Sequence, residues 1–178
     1  MDNKILAVGI RQEEARDFPA VYNLNSKAFK RKEEALLVDR LRLSDAFIPE
    51  LSLVATIDNK AIGHILFSKI KIIDGDREFD SLALAPMAVT PEMQRRRVGS
   101  RLIKHGLDRA RELGYKSVIV LGHPDYYAKC GFVPTSRWLI KPPFNVPENS
   151  FMGMELVEGG FSGVRGGTVR YAREFEDI

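Results

Sequence analysis

Cysteine, histidine and long apolar runs are scarce in this sequence. Its 178 residues include one cysteine and three scattered histidines, so an intrachain disulfide is excluded, metal-ligand spacing is missing, and we expect no metal. The longest apolar runs, such as residues 81–89, fall far short of the roughly 18 residues that cross a bilayer. Residues 1–10 lack the apolar core of a signal peptide. We therefore expect a cytoplasmic protein without a membrane partner.

A strong excess of one charge sign is also missing. The chain carries 27 Lys and Arg residues against 24 Asp and Glu residues, for a net charge of +3, which does not by itself indicate a nucleic-acid binder. The positive charge is concentrated in residues 95–111, where seven basic residues accompany one acid, Asp108. No aromatic residue lies among them to stack on a base. We expect no nucleic-acid partner.

The apolar pattern predicts one α/β domain over residues 1–178. Recurrence at three and four residues predicts helices over 13–29, 32–42 and 95–113, with a short helical turn through Tyr126 and Tyr127. Runs rich in β-branched residues predict strands over 4–11, 51–57, 61–73, 81–89, 117–121, 151–156 and 168–171. We expect these elements to form one mixed, mostly antiparallel sheet with helices packed on it.

Pro86 predicts the shape of one strand. It falls inside the strand expected over 81–89 and has no N–H to donate to a neighbour, so the strand must contain a bulge or an unpaired edge at this point. We expect the strand to splay there. The backbone groups of Met87, Ala88 and Val89 would then be available to something other than a neighbouring strand.

The segment that follows has the features of an anion site. A helix N-terminus offers unpaired N–H groups and partial positive charge, and Gly99 would let a ligand approach the backbone. Three consecutive arginines add charge. The residues of this candidate phosphate or pyrophosphate site are Gln94, Arg95, Arg96, Arg97, Val98, Gly99 and Ser100. From the residues alone, a solvated basic face with a glycine at a close helix–sheet contact is an equally open alternative.

Two motifs resemble signatures of a known family. The run over residues 85–92 together with residues 94–100 resembles the acetyl-CoA signature of the GNAT superfamily of N-acetyltransferases, and residues 126–132, Tyr-Tyr-Ala-Lys-Cys-Gly-Phe, are similar to its second signature. One helix and one strand separate the two, as in the family. Within it, the chain is most similar to the YhbS-like acetyltransferases. The resemblance implies a GNAT-like mixed, mostly antiparallel, splayed sheet of about seven strands with about four helices.

The resemblance also implies an activity. The protein is expected to move an acetyl group from acetyl-CoA to an amine by direct attack, with the backbone at 87–89 on the pantetheine arm and the N–H groups of 95–100 on the pyrophosphate. Tyr127 would protonate the departing thiolate, and Tyr126 would pack. Arg97 stands where the signature has its first glycine, and we expect it to adopt ordinary helical angles. The short segment before Tyr127 carries no counterpart of the family's asparagine contact to CoA.

The general base and the acceptor stay open. The strand over 81–90 contains no acid, so the candidates are His64, His123, Asp125 and the glutamates of the N-terminal helices. The acceptor would be a small-molecule or peptide amine, and a homodimer is an open alternative. A non-catalytic acyl-CoA-binding regulatory module is the rival function, since a fold and a cofactor site do not prove turnover.

Overall fold

The computed structural model describes residues 7–178, in which nine strands form one sheet and four α-helices pack on it. The first part of the strand predicted over 4–11 lies outside the described residues. The strands are β1 (Gly9–Gln12), β2 (Ser52–Ile57), β3 (Lys60–Asp74), β4 (Arg77–Val89), β5 (Ser117–Leu121), β6 (Val133–Pro134), β7 (Ile140–Lys141), β8 (Phe151–Glu155) and β9 (Gly167–Arg170). The helices are α1 (Phe18–Phe29), α2 (Glu33–Arg42), α3 (Val98–Glu112) and α4 (Pro124–Lys129).

The sheet is mixed and mostly antiparallel. Its main path runs β1-β2-β3-β4-β5-β8-β6, and β9 pairs with β3 and β7 beside this path. The pairs β4–β5 and β7–β9 are parallel, and the other pairs are antiparallel. The predicted fold class and number of helices are confirmed. The two strands beyond the predicted seven are β6 and β7, whose two residues each are too few to show a period.

Two helices begin later than their patterns predict. Asp17 accepts hydrogen bonds from the Glu14 N–H at 2.8 Å and from Arg11, and this holds residues 15–17 in a 3-10 turn, so α1 begins at Phe18. α3 begins at Val98 because the chain before it contains left-handed residues, which an α-helix does not accommodate. The spacing of apolar residues shows which face of a helix is buried, but it does not show at which residue the helix begins.

The sheet opens at the place that Pro86 predicts. Leu66 of β3 lies opposite both Ala85 and Pro86 of β4, which is a bulge. Within the described residues, β5 pairs with β4 only through Leu82 and Ala83. Beyond Ala83 the two strands separate. The predicted splay is confirmed, and it leaves a gap in the sheet beside the last residues of β4.

Helices cover both faces of the sheet. α3 buries Val98 and Leu102 in a cluster that includes Phe67 of β3. α1 and α2 bury Val21 and Leu41 in another cluster with Leu66, which points to the opposite face because neighbouring strand residues alternate. This packing fixes the start of α3 and the α1–α2 turn beside the gap. None of the helices in residues 7–178 is long and apolar enough to cross a membrane.

Candidate active site

A cleft of about 970 Å³ lies where β4 and β5 separate. Its lining comes from the end of β4, the turn and first residues of α3, the β5–α4 junction, the α1–α2 turn and the C-terminal segment. The predicted site residues that line it are Met87, Ala88, Val89, Gln94, Arg95, Arg97, Val98, Gly99, Ser100 and Tyr127. Arg96 does not line the cleft. Residues proposed from two distant motifs therefore lie around one cavity.

The backbone of Met87 and Val89 faces this cleft. The Thr90 N–H donates to the Ile62 carbonyl of β3 at 2.9 Å. Bonded and non-bonded pairs alternate along an antiparallel ladder, so Ala88 also faces β3, whereas Met87 and Val89 face away from it. The Gln94 side chain donates to the Val89 carbonyl at 3.2 Å, in agreement with this orientation. Of the three residues predicted to offer backbone groups, Met87 and Val89 are the ones whose N–H and C=O groups face the cleft.

The turn before α3 contains two left-handed arginines. Arg95 and Arg97 both have φ of 62°, and Arg96 between them does not have a positive φ. In other proteins, alternation of left- and right-handed residues turns successive N–H groups toward one side and forms anion-binding concavities. The expectation that Arg97 has helical angles is wrong, because the chain must turn between the 3-10 turn at Pro91–Met93 and α3 within a few residues. A glycine adopts this conformation at the least cost, which accounts for the glycine in the family signature.

Gly99 makes room for a tyrosine. A β-carbon on Gly99 would lie 2.6 Å from the Tyr126 hydroxyl and 3.4 Å from Cε of Met87. Burial raises the pKa of Tyr126, and a hydrogen bond with the neighbouring Ser100 partly offsets this. Tyr126 packs against the core, as predicted, and its hydroxyl also reaches the first turn of α3. Gly99 therefore leaves the space that the Tyr126 hydroxyl occupies.

The predicted acid, Tyr127, is held rigidly in the cleft wall. Its ring is 8% exposed and lies edge-on to Tyr126 and Phe132, with centroid distances of 5.1 and 5.7 Å. A β-carbon on Gly122 would lie 2.3 Å from its Cε2, so this glycine lets the ring sit against the end of β5. Burial, with smaller effects of Tyr126 and Cys130, raises the pKa of Tyr127 well above its ordinary value. The hydroxyl therefore keeps its proton at neutral pH.

His64, one of the candidate bases, lies in the core. Its side chain is fully buried, with Nε2 at 3.1 Å from Ser52 Oγ and Nδ1 at 3.4 Å from Asn25 Nδ2. Because Ser52 donates to Glu13 at 2.7 Å, Ser52 accepts from Nε2–H, and Nδ1 accepts from Asn25. Burial, and then the charge of Arg42, lower the pKa of His64 to about 3. His64 is a neutral structural histidine.

The other candidate bases divide between the cleft and its surroundings. His123, the residue before α4, lines the cleft, and Asp125 does not. Within residues 7–178, no group of three His, Cys, Asp or Glu side chains is placed to hold a metal ion.

A second set of lining residues contains one of the glutamates named as candidate bases and four residues that the sequence patterns missed. It comprises Arg31 and Glu34 at the α1–α2 turn and the aromatic residues Phe144, Tyr171 and Phe175. Glu34 is buried while its neighbour Glu33 is exposed. Local patterns do not distinguish the two glutamates, and the aromatic residues come from a segment predicted only as a surface crossing and from the end of the chain.

The two motifs that resemble family signatures lie around one cleft, and comparison with known families gives the class of the protein. The sequence profile described as the acetyltransferase (GNAT) family matches residues 11–132, so the chain belongs to this family. The family resemblance and the enzyme class, an acyltransferase, are confirmed.

Curated relatives and solved structures agree. The chain is similar to the N-acetyltransferases YjhQ (39% identity over 136 residues, 74% of each chain) and YhbS (32% over 167 residues, 93% of this chain and 97% of the relative) of Escherichia coli strain K12. The structure of Escherichia coli YhbS in complex with CoA superposes with a TM-score of 0.89 at 28% identity, covering 99% of this chain and 96% of that chain. A GNAT family acetyltransferase from Brucella melitensis, in complex with acetyl-CoA, gives a TM-score of 0.77 at 27% identity, with coverage of 96% and 99%.

Proposed function

We propose that this protein transfers the acetyl group of acetyl-CoA directly to the amine of an acceptor. The observation that carries the proposal is one cleft that joins the open edge of β4, the anion-binding turn before α3 and the buried hydroxyl-bearing ring of Tyr127. Structural relatives that bind CoA and acetyl-CoA support the choice of donor.

The residues around the cleft fit the donor's chemistry. The turn at 95–97 and the N-terminus of the 15-residue α3 offer N–H groups to a diphosphate, and the side chains of Arg95 and Arg97 add positive charge. The outward N–H and C=O groups of Met87 suit the amides of the pantetheine arm, which would add to the edge of β4 as a strand does. The phosphate end and the amide-rich arm thus have separate partners.

The chemical step requires a hydrogen-bond donor at the thioester carbonyl and a proton at sulfur. A C–N bond forms as the C–S bond breaks, and the acceptor nitrogen releases a proton. The N–H groups of Met87 and Val89 are placed to stabilise the developing negative charge on oxygen. Tyr127 supplies a proton to the leaving sulfur, for which its raised pKa keeps it in the protonated form.

A panel of amines tests this proposal. Thiol release from acetyl-CoA is measured with each amine, beside acetyl-CoA binding by calorimetry. We expect acetyl-CoA to bind to the protein. We expect thiol release with some of the amines and not with the others. Binding without amine-dependent release across the panel would instead identify the regulatory, non-catalytic module.

A further inference from the structure

The cleft contains an arginine whose orientation is set by a buried carboxylate. Glu34 is 6% exposed and accepts hydrogen bonds from Arg31, whose Nε lies 3.0 Å from both carboxylate oxygens and whose Nη2 contacts Oε1. The Arg31 side chain is itself 52% exposed and lines the cleft. The hydrogen bond with Glu34 raises the pKa of Arg31. Arg31 is therefore cationic, and its side chain faces the cleft.

Part of the guanidinium is left to donate to a ligand. The hydrogen bonds that Arg31 makes with residues 7–178 use Nε and Nη2, and all go to Glu34. The Nη1 protons are directed elsewhere. A guanidinium held in one plane donates to a carboxylate with little further loss of side-chain freedom. Glu34 is the one acidic side chain among the described residues lining the cleft, and its carboxylate is occupied by Arg31.

The rest of this part of the cleft is apolar and aromatic. Phe144 stacks on Tyr171 with a centroid distance of 6.0 Å and an angle of 18°, and Tyr171 lies 5.0 Å from Phe175. Phe144 is 44% exposed, and Leu37 completes the lining beside Glu34. Such a wall contacts an apolar side chain, and among these four residues the Tyr171 hydroxyl is the one side-chain group that forms hydrogen bonds.

Resting on the proposed function, we propose that the acceptor is a small α-amino carboxylate with an apolar or aromatic side chain, whose carboxylate binds Arg31. The aromatic wall receives the side chain, and Glu34 is a positioning residue that fixes the guanidinium. The same cleft of about 970 Å³ holds the proposed donor site at residues 87–100, and the α1–α2 turn with the aromatic residues forms a part of the lining outside that site.

Three matched amines test the carboxylate contact: L-phenylalanine, L-phenylalaninamide and 2-phenylethylamine. In the wild type we expect kcat/KM to favour phenylalanine. In Arg31→Gln the ratio of kcat/KM for phenylalanine to kcat/KM for phenylalaninamide should fall about 10- to 100-fold, mainly through KM, and phenylethylamine, which has no carboxylate, should lose less than phenylalanine does. The substrates differ in the pKa of their amine. This difference has the same effect on the ratio of kcat/KM values in the wild type and in the variant, so it cancels when the two ratios are compared.

Further variants separate orientation from charge. Arg31→Lys keeps the charge without the planar fork, and we expect it to restore only part of the preference. Glu34→Ala should weaken phenylalanine binding while leaving acetyl-CoA affinity intact. Arg16→Gln is the matched control, because Arg16 forms an exposed ion pair with Glu14 and does not line the cleft.

The outcomes distinguish this inference from the proposed function. Turnover of amines with equal use of phenylalanine and its amide, or a preference that survives in Arg31→Gln, overturns the carboxylate site and leaves the acetyltransferase proposal standing. Failure to release thiol with every amine overturns both. Binding of N-acetyl-L-phenylalanine in the presence of CoA gives a readout without turnover, and its loss in Arg31→Gln supports the site.

Discussion

The Tyr126 hydroxyl occupies the space that a side chain on Gly99 would need, 2.6 Å from the position of the missing β-carbon. This contact links the second signature motif to the first, because Tyr126 lies in α4 and Gly99 in the first turn of α3. Substitution of Gly99 therefore disturbs the anion-binding end of the cleft through Tyr126 as well as by blocking a ligand.

Gly99→Val should abolish acetyl-CoA binding. For the wild type, a ligand at a hundredfold excess over Kd raises the free energy of unfolding by about 2.7 kcal/mol. We expect the variant to show no shift in thermal midpoint with acetyl-CoA, as measured by differential scanning calorimetry. Gly9→Ala is the control, since a β-carbon there meets only Thr56 at an ordinary 3.5 Å. An unchanged shift in the Gly99 variant would contradict the assignment of the site.

Tyr127→Phe should separate catalysis from binding. The change keeps the ring that packs on Phe132 and removes the proton donor, so kcat should fall about 10²- to 10⁴-fold while acetyl-CoA affinity is retained. Tyr115→Phe, which alters a tyrosine outside the cleft lining, serves as the control. Loss of affinity together with activity would show a structural role instead.

The raised pKa of Tyr127 also predicts the shape of the pH profile. The group acts in its protonated form, and burial moves its pKa upward, so raising the pH to 10 does not remove the donated proton. Activity should rise as the acceptor amine loses its proton and then stay level. Initial rates between pH 7 and 10 measure this, and a decline that is absent from Tyr127→Phe would show that Tyr127 loses its proton below pH 10, which would contradict the raised pKa.

Arg97→Gly should leave the protein at least as stable as the wild type. A left-handed non-glycine residue costs about 1–2 kcal/mol, which glycine avoids, and this offsets the greater flexibility of glycine in the unfolded chain. Arg96→Gly is the matched control without a positive φ, and it should lose about 0.4–1 kcal/mol. Urea unfolding of both variants compares the free energies. Equal losses in both would show that the conformation of Arg97 is not strained.

The buried His64 predicts a loss of stability in mild acid. Its pKa is lowered from 6.5 to about 3, so below pH 6.5 the unfolded chain binds a proton that the folded protein does not. The free energy of unfolding should then fall with pH, approaching about 1.4 kcal/mol per unit, toward pH 4. Asp17, whose pKa is lowered from 3.8 by Arg11, adds its own loss only below that window.

Urea unfolding at pH 7, 6, 5 and 4 measures this dependence. His64→Gln should flatten it, and replacement of the exposed His105 by Gln should not. A stability that stays constant from pH 7 to 5 in the wild type would show that His64 becomes protonated within the fold.

Much of the fold and the donor half of the site follow from the sequence because their causes are local. Pro86 has no N–H wherever it lies, so a bulge in its strand is a covalent consequence. The apolar spacing of α3 specifies which face is buried whatever that face contacts. The signature residues of the donor site are close in sequence, so their order predicts their proximity.

Tertiary structure alone decided the rest. The left-handed angles of Arg97 depend on how the chain turns into α3. The contact between Gly99 and Tyr126 depends on how α3 and α4 meet. The burial of His64 depends on the packing of the strands against α1. Arg31 and Glu34 face Phe144 and Tyr171 across one cleft although they come from opposite ends of the chain. Burial and charge pairing between distant segments are set by the packed assembly, and no local pattern of residues encodes them.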